Sequence, residues 1–153
     1  MTGKSQSKTK TNANKKTTSW ARNKHAALLE FIEPCLAKLA AVPPTGAEWV
    51  HEIKFEGYLI EAGMVGADIR LLTRTGLDWT GRFGDLASRF RAVKAKQALI
   101  DGELIVENDK GASHFTELVA DLNAKRTSRL AFVAFDLLFL NGADCRPLTL
   151  ADR

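Results

Sequence analysis

Apolar and polar positions along the chain fall into blocks of different period, and each period predicts an element. Residues 1–24 are mostly Thr, Ser, Asn, Lys and Gln, too polar to offset the entropy of an ordered chain, and predict a disordered basic tail. In residues 26–39 the apolar positions Leu28, Leu29, Phe31, Ile32, Leu36 and Leu39 follow a helical stripe loosely, and Pro34 interrupts it. A short helix or an irregular entry segment is expected there. Val42-Pro43-Pro44-Thr45-Gly46 is a break, after which residues 49–75 read as extended. Here Trp49, His51, Ile53 and Phe55 alternate with Val50, Glu52, Lys54 and Glu56. Strand side chains alternate between faces, so Ile53 and Phe55 are expected on the core face and Glu52, Lys54 and Glu56 on the other.

Met64-Val65-Gly66-Ala67-Asp68 predicts the turn of a hairpin that Thr75-Gly76 ends. Residues 82–96 place Phe83, Leu86, Phe90 and Val93 at helical spacing among Arg and Lys, the pattern of an amphipathic helix. Residues 98–107 return to strand, residues 108–111 form a turn, and Phe115–Asn123 reads as helix. Leu130–Leu140 is nearly all apolar, as expected of a strand buried on both faces. The order of elements predicts an α+β domain built on a mainly antiparallel sheet with flanking helices.

Composition narrows the class. The 153 residues carry a formal net charge of +4, from 22 Lys plus Arg against 18 Asp plus Glu. Seven of those cations and no acid lie in residues 1–29, so the remainder holds 15 basic and 18 acidic residues, a net of −3. The basic character therefore belongs to the tail, where phosphate contact would weaken with salt. No apolar run of about 18 residues is present to span a bilayer, and Asp136 splits the most apolar segment. With no apolar signal segment at the start and two isolated cysteines, Cys35 and Cys145, a cytoplasmic location with reduced thiols is expected. His25, His51 and His114 have no spacing that suggests a metal or nucleophile–base site.

Candidate chemistry lies in four ordered blocks. They are Glu52-Ile53-Lys54-Phe55-Glu56-Gly57-Tyr58, Leu72-Thr73-Arg74-Thr75-Gly76, Asp101-Gly102-Glu103 and Phe132-Val133-Ala134-Phe135-Asp136. Taken alone, Glu52, Lys54 and Glu56 also fit a solvated ion-pair face, and Phe135 also fits the core of an apolar strand. Together the blocks resemble the covalent nucleotidyltransferases, the family of ATP-dependent DNA ligases, RNA ligases and mRNA capping enzymes. Phe31-Ile32-Glu33-Pro34, Gly76-Leu77-Asp78-Trp79-Thr80 and the stretch from Leu137 to Gly142 are most similar to the ligase module of bacterial ATP-dependent DNA ligases of double-strand-break end joining. The resemblance implies part of a nucleotidyltransferase fold, with residues 25–153 as the N-terminal portion of an adenylation domain.

It also implies a chemistry. Lys54 resembles the nucleophile that attacks the α-phosphorus of ATP and forms a lysyl-adenylate for joining DNA nicks or ends in repair and recombination. A lysine with a free pKa of about 10.4 needs help to act as a neutral amine. By position, Glu52 resembles the residue that contacts the adenine amino group, Arg74 the phosphate-holding arginine, Glu103 the acid that contacts ribose and assists Mg²⁺, and Phe135 the aromatic that stacks on adenine. The family's Lys-x-Asp-Gly-x-Arg carries Glu56 in place of Asp and Leu59 in place of Arg. The sequence given ends at Arg153, before the family's later glutamate and lysine motifs and its OB-fold. The expectation is therefore a ligase-like protein impaired on its own, with nicked or broken duplex DNA as substrate and a partner chain supplying the later motifs. The alternative is a non-catalytic nucleic-acid- or partner-binding remnant.

Overall fold

The computed structural model describes residues 30–153; the readings made on residues 1–29, the basic tail, His25, Leu28 and Leu29 among them, lie outside the described residues. Five strands form one sheet: β1 (Tyr58–Val65), β2 (Asp68–Thr73), β3 (Gln97–Val106), β4 (Leu130–Leu140) and β5 (Ala143–Asp144). Their spatial order is β2-β1-β3-β4-β5, and every pairing is antiparallel. The expected hairpin is β1–β2, closed by a two-residue turn in which Gly66 takes a φ of 59°, a conformation that favours glycine.

Alternation along the strands separates two faces. On the first, Ile60, Ala62, Leu71, Leu104, Val106 and Leu130 pack against residues from the helical segments, and this is the main core. Helix α2 (Phe115–Asn123) coincides with the predicted one and buries Leu118 and Leu122. In α2, Asp121 is fully buried and accepts from Arg126 and Arg129 of the segment leading to β4, both at 2.9 Å. On the second face Leu99, Leu138 and Phe139 form a smaller cluster against Ile32 and Val65. Residues 30–40 contain no helix, so the irregular-entry reading holds.

Three expectations need correction. Residues 82–96 are not one helix: Phe83 closes a 3₁₀ turn at Thr80–Phe83, a single α turn, α1, spans Leu86–Arg89, and a second 3₁₀ turn spans Phe90–Ala92. Gly84, at φ 59°, reverses the backbone after Phe83, and the helical bonds cannot run through it. Phe83, Leu86 and Phe90 are buried as the spacing implies, while Val93 is exposed.

The strand expected across residues 49–75 begins only at Tyr58. Residues 49–56 belong to no strand of the described sheet, and Ile53, placed on the core face by its alternation, is 78% exposed. Period determines which side chains share a face; burial needs a neighbouring strand or helix to cover it.

Finally, β4 is not buried on both faces: Phe132 and Val133 are half-buried, and Ala134 and Phe135 are exposed. The register against β3 slips between Asp101 and Gly102, whose partners are Asp136 and Ala134. Phe135 is the extra residue of a β-bulge, which bends a strand and re-aims a side chain.

Candidate active site

The bulge is one of four devices that converge on an open cleft of about 1010 Å³. It leaves Phe135 at 40% exposure on the wall of that cleft. The β2 turn supplies the second device. Thr73 donates to the Leu77 carbonyl at 2.9 Å, Gly76 to the Thr73 carbonyl at 2.7 Å, and Trp79 to the Leu71 carbonyl at 3.0 Å. Asp78 accepts the Thr80 N–H at 3.0 Å and its hydroxyl at 2.6 Å, and Thr80 in turn accepts the Leu71 N–H at 2.8 Å. Residues 77–80 thus cover the outer edge of β2, and Arg74, at the tip of the turn, lines the cleft.

The third device is close backbone packing at Gly57. A Cβ there would collide with the Leu104 carbonyl oxygen and come within 2.9 Å of the Glu103 Cγ. Only glycine lets the segment carrying Lys54 press onto β3 beside Glu103. Gly57→Ala is expected to cost about 2 kcal/mol by overpacking, read as a lower midpoint in urea; an unchanged midpoint would show that the approach is slack. Fourth, Gly102 gives the Phe132 ring room where a Cβ would overlap it, which keeps Asp101-Gly102-Glu103 flat against β4.

Glu52, Lys54, Arg74, Glu103 and Phe135, all five candidate site residues, line this one cleft. They come from four segments far apart in the chain. Burial raises the Glu103 carboxyl above its ordinary range, and the nearby Lys54 ammonium and a hydrogen bond from the Gly57 backbone pull it partly back. Of the two departures from the family motif, Leu59 lines the cleft and Glu56 does not. The Glu56 backbone N–H instead donates to the Ser113 hydroxyl at 2.8 Å. Tyr58, Trp79 and Phe115, which the motif reading left out, form an edge-to-face cluster lining the cleft, with centroids 5.5 Å (Tyr58–Trp79) and 5.1 Å (Tyr58–Phe115) apart. Their signal in the sequence is three aromatics in otherwise polar surroundings.

Further along the second face, which Leu59 and Glu103 share, three carboxylates stand side by side: Glu61 pairs with Asp101, and Asp101 with Asp136. Asp136 accepts from the Arg153 guanidinium at 2.6 and 2.7 Å. Glu61 accepts the Ile32 N–H at 3.1 Å. Burial, chiefly, pushes Glu61 up to about 7 and Asp101 to about 6.

Known proteins give the family. The sequence model of the family described as "ATP dependent DNA ligase domain" matches residues 10–153. The chain belongs to the ATP-dependent DNA ligase family. It is 36% identical over 124 residues to the multifunctional non-homologous end joining protein LigD of Pseudomonas aeruginosa, a match that covers 81% of this chain and 15% of that protein. It is 31% identical over 131 residues to DNA ligase C of Mycobacterium tuberculosis, covering 80% of this chain and 36% of that one. Among solved structures, a mycobacterial DNA ligase D complexed with ATP and MES superimposes with a TM-score of 0.59 at 28% identity, over 67% of this chain and 33% of that one. The five-stranded sheet is thus part of the ligase-domain fold, of the end-joining type. This ligase-family chain spans about a sixth of the Pseudomonas protein's length. Among the described residues no helix is long and apolar enough to cross a membrane.

Proposed function

We propose that the cleft binds ATP and that Lys54 takes its adenylyl group, the first half of a DNA-joining reaction. What carries the reading is the convergence of Glu52, Lys54, Arg74, Glu103 and Phe135 on one cleft. The Phe135 ring offers a face for the adenine, Glu52 an acceptor for its amino group, and Arg74 a fork for phosphate oxygens. The amine lone pair of Lys54 attacks the α-phosphorus, the bond from that phosphorus to the bridging oxygen breaks, pyrophosphate leaves, and the nitrogen loses one proton to solvent and keeps the other. The product is a phosphoramide, poised to hand AMP to a DNA 5′-phosphate.

Among the described residues no group of three or more His, Cys, Asp or Glu side chains could hold a metal ion. Mg²⁺ is commonly held by one or two carboxylates together with substrate phosphates, and Glu103 fits that mode. Bound there, it would offset charge on the phosphates.

The test is incubation of the chain with ATP labelled in the α-phosphate, plus Mg²⁺. A labelled protein is expected whose label survives denaturation and alkali and is released by hot acid, as a phosphoramide's is, and no label at saturating ATP would overturn the reading. Joining is tested on nicked duplex DNA with a full-length ligase whose own reactive lysine has been replaced; sealing only when this chain is present is the expected result, in a cytosolic setting of DNA repair.

Leu59 lines the same cleft and removes a cation the family places there. Leu59→Arg should add a charge-assisted contact to phosphate, worth about 1.5 kcal/mol, and tighten ATP about tenfold. Unchanged affinity by calorimetry would show that this departure does not limit binding.

A further inference from the structure

We infer that Ser113 is a positioning residue for Lys54, and that its hydroxyl fixes the segment from which the amine is presented. The inference rests on the proposed adenylation. Among the described residues, residues 49–56, which carry Lys54, belong to no strand. Their restraints come from downstream. The Glu56 N–H donates to Ser113 Oγ at 2.8 Å across 57 positions of sequence. Gly57 bonds the Glu103 carboxylate through its backbone and is pressed against the Leu104 carbonyl. The next residue, Tyr58, is held edge-on by Phe115 at 5.1 Å. Of these three restraints, Ser113 comes from the connection between β3 and α2, and Phe115 from the first residue of α2.

That connection is built to hold the hydroxyl still. Asn108 Oδ1 accepts the N–H groups of Lys110 at 2.9 Å and Ala112 at 3.0 Å, and the Asn108 N–H donates to the Ala112 carbonyl at 3.0 Å. Ser113 then bridges to Glu107, and the His114 N–H donates to the Val106 carbonyl at 3.2 Å. Ser113 is thus flanked by bonds that run back to the end of β3. Lys54 lies two residues upstream of Glu56, about 7 Å of extended chain. Rotation about an unpinned Glu56 would swing the amine by an ångström or more, and a displacement of about 1 Å can cost about a hundredfold in rate. Without the Ser113 hydroxyl, ATP still finds Glu52, Arg74, Glu103 and Phe135, so binding and chemistry should separate.

The experiment compares the wild type, Ser113→Ala and Ser113→Thr in three measurements: single-turnover labelling with α-labelled ATP at saturation, ATP affinity by calorimetry, and amide hydrogen exchange at Glu56. Ser113→Ala should slow labelling about 10- to 100-fold, keep ATP affinity within about threefold, and speed exchange at Glu56. Ser113→Thr, which keeps the hydroxyl, should restore rate and protection. Exchange at Glu56 unchanged in Ser113→Ala overturns the inference, as does a rate loss matched by an equal loss of ATP affinity or left unrescued by Thr. A wild type that never labels counts against the proposed function, and exchange at Glu56 then decides the Ser113 contact by itself.

Discussion

Lys54→Arg should leave ATP affinity within a few fold of wild type and abolish the alkali-stable, acid-labile adduct, a loss of at least about 10⁴-fold, as expected when a covalent nucleophile is removed. The substitution keeps a cation beside Glu103, whose carboxyl already feels the Lys54 ammonium, so the charge balance of the cleft is preserved. Guanidinium has no accessible neutral form near physiological pH and so offers no lone pair to phosphorus. A neutral lysine amine does. Labelling of Lys54→Arg equal to wild type would place the nucleophile on another lysine.

Local pattern was enough for some elements and blind to others, for a physical reason that recurs. Phe115–Asn123 and Leu130–Leu140 form as their periods predict, because their apolar positions lie within one element. Failures begin where burial depends on a neighbour. Ile53 and Phe55 alternate like core residues, yet a strand partner is what buries an alternating face, and Ile53 is open to solvent. Phe135 reads as one more residue of an apolar strand; its exposure comes from a two-against-one mismatch with β3, which only pairing creates. The candidate site residues were legible because four short blocks carry them in order, and the structure brings them to one cleft. What positions them was not. Ser113 is one hydroxyl in a polar loop, and its partner lies 57 residues away. The carboxylates of Glu61, Asp101 and Asp136 are neighbours only through strand register.

That carboxylate row sets the largest expected effect on stability. Glu61→Gln should make the chain about 3 kcal/mol more stable at pH 8 and leave it nearly unchanged at pH 4.5. Glu61 is 3% and Asp101 6% exposed. Around the Glu61 carboxyl stand Asp101 from β3, Arg70 from β2 and the Ile32 N–H from the entry segment, with Asp136 and its Arg153 partner beyond Asp101. Burial raises Glu61 from an ordinary 4.5 to about 7, Asp101 adds to the rise, and the Ile32 bond and Arg70 oppose it. The folded chain therefore holds a proton that the unfolded chain releases between about pH 4.5 and 7. Stability is fully present below that window, falls as pH rises through it, and levels off above. Glutamine stays neutral throughout, its carbonyl still accepts the Ile32 N–H, and its amide can donate to Asp101, so the penalty at high pH disappears. Asp101, raised to about 6, leaves a smaller slope in the variant. Urea unfolding of both proteins from pH 4.5 to pH 8.5 measures the difference. Wild-type stability that is flat across that range, or a variant that loses stability at pH 8, would mean that the carboxylate row is solvated and carries no shared proton.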